Sequence, residues 1–550
     1  MNDTSTSSSK SIRRSRNGCI TCRIRRVKCD ETRPRCNRCA QSQRTCDGYP
    51  PANVSGLSRR ALAAAVRNLP LAGPASPALA GPQATGDVAC FDFFRLLTAP
   101  AAGGFSPSEF WARRVLQVAH AEPAVWRAAV ALGALHRSLE IRLMPEVEWA
   151  GASGSLFVGK AFRCYGQALS LARSIRDPAT LLVLSIVLLG ISTLGGKWVD
   201  SRVHIVSAQK LLGEIQRTTN ISHADVDSAA ESLARMDLHA ATFSDSSAPY
   251  PFTYGDGNTP GLAPAQEPLF LIENIHQATT SLFRLLRSLL KLGGPLLDEH
   301  QVAQSVTHLE ARITEQTAAW EAAMASYLSQ APHPDDDDDA ALLSLKLYHA
   351  TLRLLLRAGV AGPERRHDAC LPHFERITCL SASLIRSARP GGASSSLSLE
   401  PGIVAPLYMT ATRCRHPAIR RRALALLWRA NRQEGMWSSI GAAAVAGRIV
   451  AVEEEGLGML APSGLPIRAA DLGRWADRVR GEGAGDWLGG DQDWRSESSW
   501  EGVPVVPEEQ RVVDSIFEAD VEKGKVDMML LLAAKEEDGS MRSRNIVVEF

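Results

Sequence analysis

Residues 19–46 read CITCRIRRVKCDETRPRCNRCAQSQRTC, which places cysteines at 19, 22, 29, 36, 39 and 46. A CxxC pair is followed after six residues by a third cysteine, and the pattern recurs seventeen residues later. A structural zinc ion takes four tetrahedral thiolate or imidazole ligands, and no histidine lies between Cys19 and Cys46. Two zinc ions ask for eight ligand positions, so six thiolates serve both only if two of them bridge. A disulfide framework calls for an oxidising compartment and a secretory signal. The opening MNDTSTSSSKSIRRSR has no apolar run of the kind a signal peptide needs. A redox CxxC belongs beside a βαβ pattern, which the residues around Cys22 do not offer.

The two copies differ in the six residues after the pair. Arg23, Ile24, Arg25, Arg26, Val27 and Lys28 come after Cys22, four of them cationic, whereas Ala40 to Thr45 after Cys39 contain one cation, Arg44. Clustered Lys and Arg neutralise phosphates and release counterions, so the first segment suits a DNA groove and the second does not. Arg25 and Arg26 are the candidates for reading guanine edges in the major groove, and Arg23 and Lys28 for holding phosphates. Arg13, Arg14 and Arg16 add a candidate import signal.

Every cysteine spacing resembles that of the fungal binuclear zinc cluster transcription factors, in which two zinc ions share six cysteines. The resemblance makes Cys19 and Cys36 the bridging ligands. Gly18 and Pro34 stand where that family has a small residue and a loop proline. It also singles out Arg26, four residues after the second cysteine, as the foremost basic contact, with a CGG-like triplet as the DNA target.

Over 550 residues, 45% hydrophobic and 22% charged, there is enough chain for the zinc module and a large globular core. The net charge of +2 hides a division. Residues 1–60 hold 14 Lys and Arg against 4 Asp and Glu, giving +10, and the remainder holds 47 against 55, giving −8. A basic head on a mildly acidic body suits a protein that offers one end to nucleic acid. Leu181 to Leu194, the most apolar run, falls short of the ~20 residues that span a bilayer and reads as a buried helix. No membrane partner is expected. Cys90, Cys164, Cys370, Cys379 and Cys414 lie among apolar neighbours without a second ligand at metal spacing, and read as buried free thiols.

The expected fold is mainly α. Residues 1–17 form a disordered basic arm, 18–47 the binuclear zinc cluster and 48–89 a Pro/Gly-rich flexible linker. An α-helical regulatory domain covers 90–460, an acidic and aromatic flexible segment 461–509, and a C-terminal β-hairpin docking on the helices 510–550. In the linker, Leu57, Leu62, Val66 and Leu69 give too few heptads for a coiled coil, which leaves homodimerisation to the helical body. Helices are expected over Phe110–His120, Pro123–Leu143, Ala161–Ile175, Ala179–Thr193 and Val203–Ile215. Four more are expected over Leu269–Leu292, Val302–Leu328, Leu342–Ala358 and Phe374–Ala388. Ser244–Pro264, Pro332–Asp339 and Pro390–Ser398 read as loops, the acidic run Asp335–Asp339 as a solvated one. The stretches FDFFRLLTAPAAGGF, EPAVWRAAVALGALHRS and RHPAIRRRALALLWRANRQEGMW resemble the regulatory domain that accompanies fungal zinc clusters. Trp487, Asp491, Asp493, Trp494, Glu497, Trp500 and Glu501 mix acids and aromatics, which suits either an activation segment that offers aromatics to a coactivator groove or a plain surface loop.

Enzyme chemistry finds no support. Gly154-x4-Gly159-Lys160 carries part of a phosphate-loop pattern, but Ala161 replaces the magnesium-binding Ser or Thr and no strand precedes it; the expected setting is a glycine-rich loop between helices. There is no GxSxG, HExxH or dinucleotide fingerprint. Lone histidines such as His136 and His349 read as satisfied side chains on helical faces. The expectation is a nuclear, sequence-specific DNA-binding transcription regulator with two Zn2+ ions, working with coactivators or corepressors. Secondary metabolism and nutrient use are the family's background. The rival reading is a helical cofactor-recruiting scaffold whose cluster binds DNA weakly.

Overall fold

The computed structural model describes residues 30, 32, 36–42, 84–142, 150–218, 223–243, 271–292, 299–330, 336–359, 362–387, 397–458, 469–479, 488, 498–520, 525–536 and 540–549. The chain divides into two compact units, Met1–Asn68 and Leu69–Phe550. In the first, the described helix is α1, Asn37–Gln41.

The second unit begins with α2 (Ala84–Phe93), which runs through a π-helical turn, Phe94–Thr98, into α3 (Ala99–Ala102). A second π turn, Phe110–Arg114, leads into α4 (Val115–Ala121), and α5 (Pro123–Arg142) follows. Next come α6 (Ala150–Ala172), α7 (Pro178–Leu194), α8 (Trp198–Thr218) and α9 (His223–Phe243). These helices enclose one core. At its centre α7 is apolar on all sides, with Leu182, Val183, Leu184, Ile186, Val187, Leu189 and Ile191 all buried. Its start is set locally: the Asp177 carboxylate accepts from Ala179 N at 3.4 Å and Thr180 N at 2.9 Å, and Pro178 takes the first helical position. Where α5 crosses α2 only glycine fits, because a Cβ on Gly133 would lie 2.3 Å from the Cys90 carbonyl oxygen.

A second core gathers α10 (Ile275–Leu292), α11 (Glu299–Gln330) and α12 (Asp336–Ala358), with Leu238 of α9 and Leu488 joining it. Its largest buried side chain is Trp320, whose indole N–H donates to the Ala278 carbonyl at 3.2 Å and the Ser281 hydroxyl at 3.0 Å. A third core joins α12 to a 3-10 turn (Glu364–Cys370), α13 (Leu371–Ser387), α14 (Val404–Arg413), α15 (Pro417–Ala430), α16 (Ser439–Glu453) and α17 (Ala469–Asp477). A small sheet of β1 (Leu397–Ser398), β2 (Gln433–Glu434) and β3 (Trp437–Ser438) stitches these helices to α3, with Leu399 N donating to the Ala102 carbonyl at 2.8 Å.

At the C-terminus β4 (Val512–Asp520), β5 (Lys525–Lys535) and β6 (Met541–Glu549) form an antiparallel meander. Its apolar face, Val512, Met528, Leu530, Leu532 and Val548, packs on Val445 and Ile449 of α16. The expected hairpin is therefore β5–β6, and the sheet gains a third strand. Val512 to Ala519 carries Asp514 and Glu518, charges that disguise a strand whose outer face is solvated.

Other expectations need correction. Helix α9 is absent from the expected set, because Asp225, Asp227, Glu231 and Asp237 dilute its apolar stripe. Helix α12 begins at Asp336, inside the acidic run expected to be a loop; carboxylates favour the positive end of a helix. Gly154 to Lys160 lies within α6 rather than in a loop, and the Lys160 ammonium pairs with Asp87 at 2.7 Å. Residues 390–396 of the Pro390–Ser398 segment, the whole Ser244–Pro264 segment and the linker leucines lie outside the described residues.

Candidate metal centre and nucleic-acid interface

Two of the six candidate ligands, Cys36 and Cys39, fall on described residues; Cys19, Cys22, Cys29 and Cys46 lie outside them. Cys36 is the N-cap of α1, and its Sγ accepts the Cys39 amide hydrogen at 3.3 Å. Separation by three residues on a helical turn puts both side chains on one face. Both residues are fully buried while Asn37, Arg38, Ala40 and Gln41 are exposed. Two sulfurs buried on one turn, one of them accepting an amide hydrogen bond, match the donor chemistry of a zinc thiolate site.

A residue that the spacing argument misses braces this turn. The Asp30 carboxylate accepts from Asn37 N at 2.9 Å, Arg38 N at 3.4 Å and the Thr32 hydroxyl at 2.5 Å. The hydroxyl and the two helix N–H groups hold its pKa down to about 2. The loop after Cys29 is thereby tied to the helix that carries Cys36 and Cys39. A carboxylate one residue after a ligand cysteine, with a helix start seven residues on, is the available signal. At the other end the Ser42 hydroxyl donates to the carbonyls of Arg38 and Cys39 at 2.9 and 3.1 Å. Arg23, Arg25, Arg26 and Lys28 lie outside the described residues.

In the second unit the basic run Arg420-Arg421-Arg422 could pass in sequence for another nucleic-acid patch. Its guanidinium groups instead face inward: Arg420 meets Glu453 at 2.6 Å, Arg421 meets Glu454 at 2.6 Å and Arg422 lies 3.6 Å from Glu375. Fully buried Arg415 bridges Glu453 at 2.8 Å and Glu364 at 2.9 Å, and Arg413 joins Glu364 at 2.9 Å. The Glu453 carboxylate also accepts the Val512 amide hydrogen at 2.8 Å, which pins the C-terminal sheet to the helices. Burial raises the Glu453 pKa, but Arg420 and Arg415 outweigh it and hold the group ionised below the ordinary carboxylate value.

The remaining candidates form no common site among the described residues. Cys90, Cys164, Cys370, Cys379 and Cys414 are buried and outside any disulfide. Burial pushes the thiol pKa up at Cys90, Cys164 and Cys379, and to about 12 at Cys414, so these sulfurs stay protonated and unreactive. His136 pairs with the Thr98 hydroxyl at 2.9 Å and His349 with Glu321 at 2.7 Å. Trp500 of the acidic and aromatic segment is docked: its indole N–H donates to the Asp368 carbonyl at 3.2 Å and its ring meets His416 edge to face. The segment's other named residues lie outside the described ones except Glu501, which is exposed. Among the described residues no helix is long and apolar enough to cross a membrane, and no group of three or more His, Cys, Asp or Glu could hold a metal ion.

Comparison with known proteins identifies both regions. Residues 17–53 match the fungal Zn(2)-Cys(6) binuclear cluster domain, and residues 92–445 match the fungal specific transcription factor domain. The chain is 24% identical over 547 residues to the aspercryptin biosynthesis cluster-specific transcription regulator atnN of Emericella nidulans, covering 78% of this chain and 85% of that one. Over 38 residues it is 58% identical to the transcriptional regulatory protein moc3 of Schizosaccharomyces pombe, 7% of this chain and 8% of that one. It is 55% identical over 38 residues to the pestheic acid cluster transcriptional regulator 3 of Pestalotiopsis fici, 7% of each chain. No solved structure matches the chain. The cluster domain binds two zinc ions, and the helical domain accompanies it over most of the remaining length. The chain belongs to the fungal binuclear zinc cluster transcription regulators that carry the fungal specific transcription factor domain.

Proposed function

We propose that the chain recognises a CGG-like triplet in double-stranded DNA through residues 23–28 and regulates transcription in the nucleus. The cluster domain supplies the zinc and the DNA-binding class. The assignment within it rests on one observation: the charge asymmetry between its two cysteine repeats, four cations after Cys22 against one after Cys39. The second repeat is described as a short helix whose exposed face offers Arg38 alone as a cation, in keeping with a scaffolding role for that half. Arg25 and Arg26 read guanine, and Arg23 and Lys28 hold phosphates. Cys19, Cys22, Cys29, Cys36, Cys39 and Cys46 hold the two ions, with Cys19 and Cys36 bridging.

The boundaries 18–47 for the cluster and 510–550 for the terminal sheet are part of the same proposal; the linker expected over 48–89 gives way to α2 from Ala84, and the helical body expected over 90–460 takes in α17, whose Leu472 and Ala476 join the third core. Coactivators or corepressors are its protein partners, and any homodimer forms through the helical body. Two relatives named for metabolite clusters, aspercryptin and pestheic acid, favour a secondary-metabolite cluster as the target. The test is binding of full-length, zinc-loaded protein to a CGG duplex and to a scrambled one. The variant Arg25→Ala/Arg26→Ala loses ~1–3 kcal/mol of discrimination per base contact removed. Arg44→Ala keeps it. Discrimination that survives the double substitution would remove the base-reading assignment, and absence of discrimination by the unaltered protein would favour the recruiting scaffold.

A further inference from the structure

A cavity of about 220 Å³ lies where α9, α10, α12, α14, α16 and β4 meet, within the second unit. Its wall is mostly hydrocarbon, from side chains such as Leu238, Leu286, Leu355, Met409 and Ile449, with Trp437 beside them. An apolar cavity of ~150 Å³ already accepts benzene, so this one has room for ~10 non-hydrogen atoms.

Two polar atoms on the wall lack partners. His239 is 6% exposed, and its Nε2 makes no hydrogen bond. The ring's backbone partner is the Leu399 carbonyl, and burial lowers the imidazole pKa to about 4, so the ring is neutral. A neutral ring that donates to a carbonyl through one nitrogen accepts at the other. The Tyr408 hydroxyl, with Ser515 beside it, is buried without a well-formed hydrogen bond and is available as a donor. Leaving such a group buried and unpaired is costly, and a ligand's polar atom would offset that cost. The wall carries two charged side chains: Arg413 is engaged by Glu364 and by the carbonyls of Val512 and Val513 at 3.0 and 2.9 Å, and the exposed Asp514 carboxylate accepts the Ser515 amide hydrogen at 2.8 Å. An anionic ligand would therefore compete with these bonds, and a neutral one would not.

We propose that this cavity binds a small, neutral, largely apolar molecule carrying a hydroxyl group, which donates to His239 or accepts from Tyr408. Because β4 forms one wall, an occupant joins the terminal sheet to the helical body, and occupancy is read out in the sheet's docking. The probe pair is 2-naphthol and naphthalene, titrated into the full-length, zinc-loaded protein by calorimetry, with naphthalene measured by displacement of 2-naphthol. One molecule of 2-naphthol binds per chain, at least about tenfold tighter than naphthalene. His239→Phe or Tyr408→Phe narrows that preference. Ala405→Trp and, separately, Met409→Trp fill the space and abolish binding of both probes, with unchanged far-UV circular dichroism. Hydrogen exchange of residues 512–515 slows when 2-naphthol is bound. No saturable binding of 2-naphthol up to ~1 mM, or binding unchanged in the two folded tryptophan variants, would overturn the proposal.

Discussion

Two small polar clusters organise this molecule, and they are built in opposite ways. Around α1, Cys36 and Cys39 stand three residues apart, and the brace from Asp30 reaches only eight residues, to Arg38. Around Glu453, the partners Arg415 and Arg420 are 38 and 33 residues away, Val512 is 59 residues away, and Arg415 goes on to Glu364, 51 residues back. The first cluster is a local pattern completed by metal. The second exists only when several helices and a strand have already packed. Local spacing is visible in one sequence, and long-range charge complementarity is not, because Arg420-Arg421-Arg422 looks the same whether it faces phosphate or buried glutamate.

The largest effect expected from this contrast is metal removal. Structural zinc supplies ~10–16 kcal/mol to small zinc modules, so a chelator should abolish DNA binding while far-UV circular dichroism keeps the helical signal of the body. Loss of both together would mean that the body depends on the cluster.

Glu453→Gln probes the opposite half. It leaves Arg415 and Arg420 buried without their shared carboxylate, and breaking a buried pair in this way costs ~3–5 kcal/mol. Urea unfolding should shift to a lower midpoint, with the DNA preference of zinc-loaded, folded protein unchanged. An unaltered midpoint would show that the network is ornamental to stability.

Acid should reach the body in two stages. His239 and His367 are held near pKa 4 by burial, below the unfolded value of about 6.5. Both are neutral in the folded chain at pH 7, and as the pH falls from 6.5 towards 4 the unfolded chain takes up protons that the folded one refuses, so stability declines. Glu453 and Glu364 lie below the ordinary carboxylate value, since their arginine partners outweigh the effect of burial. Their contribution is complete above the unfolded value of about 4.3 and is lost as the pH drops further. Urea midpoints at pH 7.5, 5.5 and 4 should therefore fall in sequence; equal midpoints at 7.5 and 5.5 would show that the buried histidines do not govern the first stage.

The smallest effect separates local from long-range order within the body itself. Asp177→Ala removes the cap of α7 and should cost ~1 kcal/mol in the same urea assay, well below Glu453→Gln. A larger loss at Asp177 than at Glu453 would reverse the ranking on which the comparison rests.

Legibility runs along the same line. Helix α7 announces itself as an apolar run behind Asp177-Pro178, and α5 as a 3.6-residue pattern behind Pro123. The zinc reading comes from cysteine spacing, and the family reading from that spacing together with the stretches of the helical body that resemble the regulatory domain. Helix α9 is hidden because polar residues interrupt its apolar stripe, among them buried Asp237, which accepts from Arg287 at 2.9 Å. Strand β4 is hidden because Asp514, Ser515 and Glu518 interrupt its apolar residues. Asp30 escapes notice because a carboxylate clamp on a helix start has no fixed spacing, and the cavity beside His239 because its walls come from segments more than 250 residues apart.

The account turns on the first cysteine repeat being the DNA reader, and selection of bound sequences from a random DNA pool tests it most directly. Full-length, zinc-loaded protein should enrich a CGG-like triplet, single or paired, and Arg25→Ala/Arg26→Ala should enrich it poorly or not at all. Enrichment of no preferred sequence by the unaltered protein, or the same triplet by the double variant, would contradict the account.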